Sequence, residues 1–173
     1  MPVDTALFDY TVMFWFRSAK SLAELNTDES ILDEKAFLFE LPGSAGCFVT
    51  RSSSGPFADD GPWLQCTPFG QEEEFEEDFI ISLADLPDIQ AWTHLTYSAM
   101  YSPDEDKIHS YLKVGDVYVK GPYMQMKDDI VYFGAGLDLK DGQGPRQGFA
   151  GDYRQFYYTL GYVEQDRIDL LKH

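Results

Sequence analysis

The stretch that decides the fold class of this chain is Asp9-Tyr10-Thr11-Val12-Met13-Phe14-Trp15-Phe16-Arg17. It is rich in β-branched and aromatic residues, which favour β-strands. Because successive side chains of a strand point to opposite faces, alternation divides the stretch into two sets. The sets are Tyr10, Val12, Phe14 and Phe16 on one face, and Thr11, Met13, Trp15 and Arg17 on the other. Both sets are largely apolar, which predicts an inner strand that is covered on two sides.

The rest of the chain continues this pattern. Its 173 residues suit one domain, and a 16% aromatic content with 14 Gly and 9 Pro favours short strands joined by turns. Apolar runs bounded by turn residues predict further strands at 36–41, 47–51, 63–67, 79–83, 92–100, 108–114, 117–120, 130–134 and 149–158. Helical spacing is restricted to a turn around 22–25 and a short C-terminal helix at 163–172. We therefore predict a single all-β domain over residues 1–173, with the strand spacing of a sandwich.

The net charge of the chain limits the classes of partner that it can bind. It has 13 Lys and Arg against 30 Asp and Glu, which gives a net charge of −17. That charge repels a phosphate backbone, so we expect no nucleic-acid partner. There is no long apolar run and no apolar leader before the first strand, so we expect neither membrane insertion nor a signal peptide in the chain as written. Divalent cations, neutral glycans and basic protein surfaces are compatible with the acidity, as is a purely solubilising role.

The two cysteines, Cys47 and Cys66, fall in neighbouring predicted strands. In a hairpin centred on the 55–61 loop they would lie roughly opposite one another, so a disulfide is geometrically feasible. Free cysteines are also commonly buried as small apolar residues. We expect two buried free thiols, and the redox compartment stays open.

Four segments of the chain carry motifs that occur together in a known family. They are Tyr10-Thr11-Val12-Met13-Phe14-Trp15-Phe16-Arg17, Trp92-Thr93-His94-Leu95-Thr96-Tyr97, Tyr111-Leu112-Lys113-Val114-Gly115-Asp116-Val117-Tyr118-Val119, and Phe149-Ala150-Gly151-Asp152-Tyr153-Arg154-Gln155-Phe156-Tyr157-Tyr158. In this order they resemble the laminin-G-like domains of the concanavalin A-like lectin and glucanase superfamily. The resemblance implies a two-sheet antiparallel jelly-roll sandwich with a short C-terminal helix. It also implies an extracellular or cell-surface location and non-catalytic recognition of a glycan or protein through rim loops.

A calcium site is the first candidate. Many laminin-G-like domains bind calcium at a loop rim, and the Gly/Asp-rich loop at 134–144 offers carboxylates and free carbonyl oxygens, the ligands that Ca²⁺ takes. We predict Asp138, Asp141 and Asp152 as its ligands, with Asp104 and Asp106 as a weaker second site. The alternative is a polar loop with solvated aspartates. His94 and His109 lack partners at metal spacing, so we expect them to be packed or edge residues.

A glycan surface is the second candidate, since sugar rings stack on aromatic faces. We predict Trp63, Tyr101, Tyr123 and Tyr132 as its residues. The alternative is that these rings fill the core, as we expect Trp15 and Trp92 to do.

Catalysis is a remote alternative. Glu72, Glu74 and Glu77 have the Glu-x-Asp-x-x-Glu spacing of related glucanases, whose paired carboxylates act as nucleophile and acid. The residues between them should be apolar but include Glu73 and Glu76, which favours a solvated loop. We therefore predict no enzyme. A structural interaction domain of a larger surface or assembly protein, without sugar binding, is the main alternative to the recognition module, and the oligomeric state stays open.

Overall fold

The structure, a computed structural model, describes residues 9–41, 45–54, 61–68, 80–104, 107–120, 132–133, 136–137, 145–164 and 167–168. Its regular elements are mostly strands. The strands are β1 (Tyr10–Ser18), β2 (Ala36–Leu41), β3 (Ala45–Thr50), β4 (Trp63–Pro68), β5 (Ile80–Ser82), β6 (Thr93–Ser102), β7 (Lys107–Val114), β8 (Val117–Lys120), β9 (Tyr132–Phe133), β10 (Gly136–Leu137), β11 (Pro145–Arg146) and β12 (Gly151–Leu160). One short helix, α1, covers Leu22–Leu25, and single 3-10 turns cover Glu29–Ile31 and Leu83–Asp85.

The strands form two five-stranded antiparallel sheets. The first has the order β12–β1–β6–β7–β8, the second has the order β5–β4–β3–β2–β9, and β10 pairs with β11 alone. Together with the scarcity of helix, this confirms the predicted all-β class and its sandwich-like architecture. Within the described ranges, no helix has the length and apolar character to cross a bilayer.

Strand β1 is the inner strand that its alternation predicts. It lies between β12 and β6, so that Tyr10 is opposite both Leu160 and Ala99. The side chains of Tyr10, Val12, Phe14 and Phe16 are 0% exposed and belong to one core cluster. Because β1 has a partner strand on each side and buried side chains on its inner face, it anchors the first sheet to the core.

The two sheets meet through aromatic side chains. The ring of Phe14 in the first sheet lies 6.0 Å, centroid to centroid, from that of Phe39 in the second, at 81°. Phe39 also lies 6.4 Å from Tyr97 of β6. Such edge-to-face pairs add to the stability gained from burying the rings. The core therefore sits between the sheets.

The cysteines correct one prediction. Cys47 of β3 is directly opposite Cys66 of β4, with a Cα–Cα distance of 4.1 Å, and the two form a disulfide. The expected pair of free thiols is therefore wrong. Directly opposed positions of an antiparallel pair bring both side chains to the same face at short range, and both cysteines belong to the core cluster.

Part of the outer face of the first sheet is covered by the segment that follows β12. The Thr11 hydroxyl donates to the carbonyl of Gly161 at 2.8 Å and accepts from the amide of Val163 at 3.1 Å. The Tyr111 hydroxyl donates to the carbonyl of Val163, and burial raises the pKa of this phenol, which keeps it protonated. Ile168, in a helical turn, is fully buried. Val163 and Glu164, where the sequence predicted the C-terminal helix to begin, are not helical, and residues 165–166 and 169–172 lie outside the described residues.

Two glycines are required by local geometry. Gly115 has a φ of +58° in the two-residue turn between β7 and β8, which confirms the predicted hairpin. At Gly151, the start of β12, a Cβ would overlap the carbonyl oxygen of Arg17 on β1. The close approach of these two strands therefore depends on the missing side chain.

Candidate functional site: an arginine–tryptophan cluster

Four side chains gather on the outer face of the first sheet, at the end where β1 finishes and β12 begins. We call Trp15, Arg17, Trp92 and Arg154 the arginine–tryptophan cluster. The register brings them together, because Trp15 is opposite Arg154 of β12 and Phe16 is opposite Thr93, the first residue of β6. Trp92 precedes Thr93 and so extends β6 toward Arg17. Sheet pairing thus assembles residues that are far apart in the chain.

The guanidinium groups of the cluster stack on its indole rings. The Cζ atom of Arg154 is 4.1 Å from the ring centroid of Trp92 and 5.6 Å from that of Trp15. The Cζ atom of Arg17 is 4.9 Å from the Trp92 centroid. These distances are within about 6 Å, the range of a cation–π interaction. Both arginines are exposed and both tryptophans are half-buried, so the cluster faces solvent.

This placement corrects a second prediction. Trp15 and Trp92, which we expected in the sandwich core, are absent from the core cluster. Trp15 points to the outer face because it alternates with the inward Phe14 and Phe16. The ring of His94 lies 5.1 Å from the Trp15 ring at 69°, and His94 is itself buried. The histidine therefore packs behind Trp15 and supports it.

The two arginines differ in how their charge is balanced. The Nε and Nη2 atoms of Arg17 both lie 2.7 Å from Oδ2 of Asp152. Arg154 has no ion-pair partner among the residues that the structure describes. The positive charge of Arg154 therefore faces solvent without an ion pair in the described part of a chain whose net charge is −17.

The predicted glycan-binding aromatics are not part of this cluster. Trp63 is 7% exposed in β4, and its Nε1 atom lies 3.5 Å from Oε1 of Gln65. An indole so deeply buried presents little ring face to a sugar. The backbones of Tyr101 and Tyr132 belong to β6 and β9, but their side chains, and all of Tyr123, lie outside the described residues.

The predicted calcium site lies mostly outside the described residues. Asp138 and Asp141 lie outside them, and so does Asp106. Asp152 is engaged by Arg17, and Asp104 is an exposed turn residue. Among the described residues there is no group of three or more His, Cys, Asp or Glu that could hold a metal ion. The acidic residues Glu72, Glu74 and Glu77 also lie outside the described ranges.

The sequence contains a signal for the cluster that alternation alone does not reveal. Trp15 and Arg17 are two residues apart on β1, and Asp152 and Arg154 are two residues apart on β12. Each pair therefore shares one face of its strand. Only the β1–β12 register places Arg17 beside Asp152 and Trp15 beside Arg154.

No protein-family model matches the chain, and no curated protein matches it. The laminin-G-like resemblance therefore stays a prediction from the sequence.

Proposed function

We propose that this protein is a non-catalytic recognition domain, a laminin-G-like jelly roll that binds a glycan or protein ligand at one end of its sandwich. The observation that carries the proposal is Arg154, an exposed cation stacked on Trp92 and without an ion-pair partner in the described structure. The loops next to Arg154 form the rim of the site. Hydrogen bonds join these loops, because the amides of Ser18 and Ala19 donate to the carbonyls of Ile89 and Ala150.

The composition and rigidity of the cluster support a binding role. Arg and Trp are among the residues that dominate binding energy at protein interfaces. Stacking on Trp92 restricts the Arg154 side chain before a ligand arrives, and His94 restricts Trp15 in the same way. Side chains that are already ordered lose less conformational entropy on binding.

An extracellular or cell-surface location is part of the proposal. The Cys47–Cys66 disulfide supports it, because disulfides persist in oxidising compartments and are rare in the cytosol.

The second candidate function is a structural interaction domain of a larger surface or assembly protein, without sugar binding. It is favoured by two exposed aromatic side chains on the edge strand β12, Phe156 at 46% and Tyr157 at 53%. Exposed neighbouring aromatics are typical of surfaces that pack against another protein. The glucanase alternative depends on Glu72, Glu74 and Glu77, and a β-glucan activity screen with each changed to Gln would test it.

Of the three predicted ligands, we keep only Asp138 and Asp141 in the proposed calcium site. Asp152 as placed does not fit a calcium site, because the Arg17 guanidinium holds its Oδ2 atom and would repel a divalent cation there. We expect millimolar Ca²⁺ to raise the melting temperature by several degrees relative to EDTA, since a hundredfold excess over Kd stabilises by about 2.7 kcal/mol. The shift should vanish in Asp138→Asn/Asp141→Asn. Superimposed melting curves of the wild type would remove calcium from the proposal.

A glycan array, read with Ca²⁺ and with EDTA, tests the recognition function. The matched variants are Arg154→Gln in the cluster and Lys120→Gln, which removes one positive charge from β8 at the opposite edge of the same sheet. A glycan signal that is lost in Arg154→Gln and kept in Lys120→Gln would identify a glycan as the ligand of the cluster. A blank array at high protein concentration with calcium present would leave a protein as the ligand.

A further inference from the structure

We infer that the arginine–tryptophan cluster recognises a protein partner through an acidic side chain with apolar neighbours, held as a single carboxylate against Arg154. The inference rests on the proposed function and narrows its ligand class.

Arg154 can bind a ligand through the N–H groups of its guanidinium. A guanidinium is planar and carries five N–H donors in its plane. The Cζ atom of Arg154 lies over the Trp92 ring, 4.1 Å from its centroid, and a guanidinium held against an indole can still donate hydrogen bonds from its edge to a ligand. A carboxylate matches this arrangement, because its two oxygens accept two parallel hydrogen bonds from one guanidinium.

Guanidinium groups already lie over the Trp92 ring on which a neutral sugar would stack. Arg17 and Arg154 both lie over Trp92, at 4.9 and 4.1 Å from its centroid. A sugar that stacked on this indole would have to displace a guanidinium. The cluster therefore presents hydrogen-bond donors and positive charge, and an anionic group suits it better than a neutral ring.

The local charge favours one carboxylate and disfavours a polyanion. Asp152 neutralises Arg17, which leaves the Arg154 charge uncompensated among these three side chains. Beyond about 8 Å, solvent screening weakens the attraction of one exposed charge. The net charge of −17 repels any ligand with many negative charges along its length. An isolated Asp or Glu side chain satisfies both conditions.

Apolar contact area continues from Arg154 along β12. On β1, Met13 and Trp15 are two residues apart and share the outer face. Their partners on β12 are Tyr157 and Arg154, so Tyr157 lies on the same outer face as Arg154. Tyr157 is 53% exposed, whereas the adjacent Phe156 lies toward the inner face, where its ring is 6.0 Å from that of Phe14. A surface that combines Arg, Trp and Tyr has the composition of a binding hot spot between proteins. The partner segment is therefore one in which apolar residues flank the acidic one.

The test starts from a random dodecapeptide display library selected on the whole immobilised protein. The best peptide is then synthesised together with an analogue in which its Asp or Glu is replaced by Asn or Gln. Fluorescence anisotropy gives the Kd of each for wild type, Arg154→Gln, Arg154→Lys and Lys120→Gln. Urea denaturation of every variant shows whether it is folded.

We expect peptides enriched in one acidic residue flanked by apolar residues. Loss of a hydrogen-bonded charge pair should raise Kd about ten- to a hundredfold in Arg154→Gln and for the amide analogue. The two changes together should cost no more than either alone, because they remove the same contact. Arg154→Lys should lie between Arg154→Gln and wild type, and Lys120→Gln should match wild type.

Other outcomes overturn the inference, and they separate it from the proposed function. Selected peptides without an acidic residue, or peptides indifferent to Arg154→Gln, would refute the carboxylate. A glycan that binds through Arg154 while no peptide is selected would refute the protein partner and leave recognition intact. If both the array and the library fail, the inference and the proposed function fail together.

Discussion

The two faces of β1 have very different surroundings. On the inner face the four side chains from Tyr10 to Phe16 are uniformly buried in the core between the sheets. On the outer face burial declines along the strand, from the fully buried Thr11 through the half-buried Trp15 to the exposed Arg17. The inner face thus serves packing along its whole length, whereas the outer face changes from packing to an open surface. One strand can therefore carry the fold and the candidate site at the same time.

The largest expected effect is at the inner face. Phe14→Ala should lower the free energy of unfolding by about 3–5 kcal/mol, because it removes a fully buried ring and leaves a cavity. Trp15→Ala, one residue away on the outer face, should cost about 1–2 kcal/mol. Urea denaturation of both variants measures the difference. Equal losses would mean that the outer face is packed as tightly as the core.

Loss of the disulfide should have the next largest effect on the free energy of unfolding. Cys47→Ala/Cys66→Ala should lose about 2–4 kcal/mol, because the link between positions separated by 19 residues no longer restricts the unfolded chain. Reduction of the wild type should lower its stability by a similar amount. Alkylation in denaturant without reductant should label neither cysteine. Two labelled thiols would restore our original expectation.

The covered part of the outer face should give an intermediate effect. Thr11→Val keeps the shape of the side chain but removes the hydroxyl that joins β1 to Gly161 and Val163. We expect a loss of about 1–3 kcal/mol and faster hydrogen exchange at the Val163 amide. Ser98→Ala should couple to it, because the Ser98 hydroxyl accepts from the same amide at 3.2 Å. Additive losses would indicate that the two hydroxyls act independently.

The open end of the outer face should give the smallest effect on stability. Arg154→Gln removes cation–π contacts that are worth about 0.5–1 kcal/mol at exposed sites. Thermal and urea unfolding should therefore change little while ligand binding falls. A loss as large as that of Phe14→Ala would identify Arg154 as a structural residue.

Alternation was sufficient to predict the inner face but not the site. Period-two patterning and the Gly115 turn located β1 and the β7–β8 hairpin, since both are local properties of the chain. Trp15 was misplaced because a large aromatic ring suits either a core or a stacked surface pair. Which of these two positions Trp15 takes depends on the face to which its neighbours Phe14 and Phe16 point.

The disulfide and the cluster required knowledge of register. Cys47 and Cys66 are bonded because β3 and β4 pair without an offset at that point. Arg17 reaches Asp152, 135 residues later, because β12 returns beside β1. Pairings of this kind are set by the whole fold, so composition and spacing leave them open.

The pairing of β1 with β12 also has a consequence for synthesis. Thr11 bonds to Gly161, which is 150 residues further along the chain. At 5–20 residues per second, a ribosome makes that stretch in about 8 to 30 s. For that interval β1 lacks at least one of its two neighbouring strands, and Trp15 and Arg17 lack Arg154 and Asp152. A nascent chain therefore lacks the complete arginine–tryptophan cluster, and the binding that we propose for it requires that β12 has docked against β1.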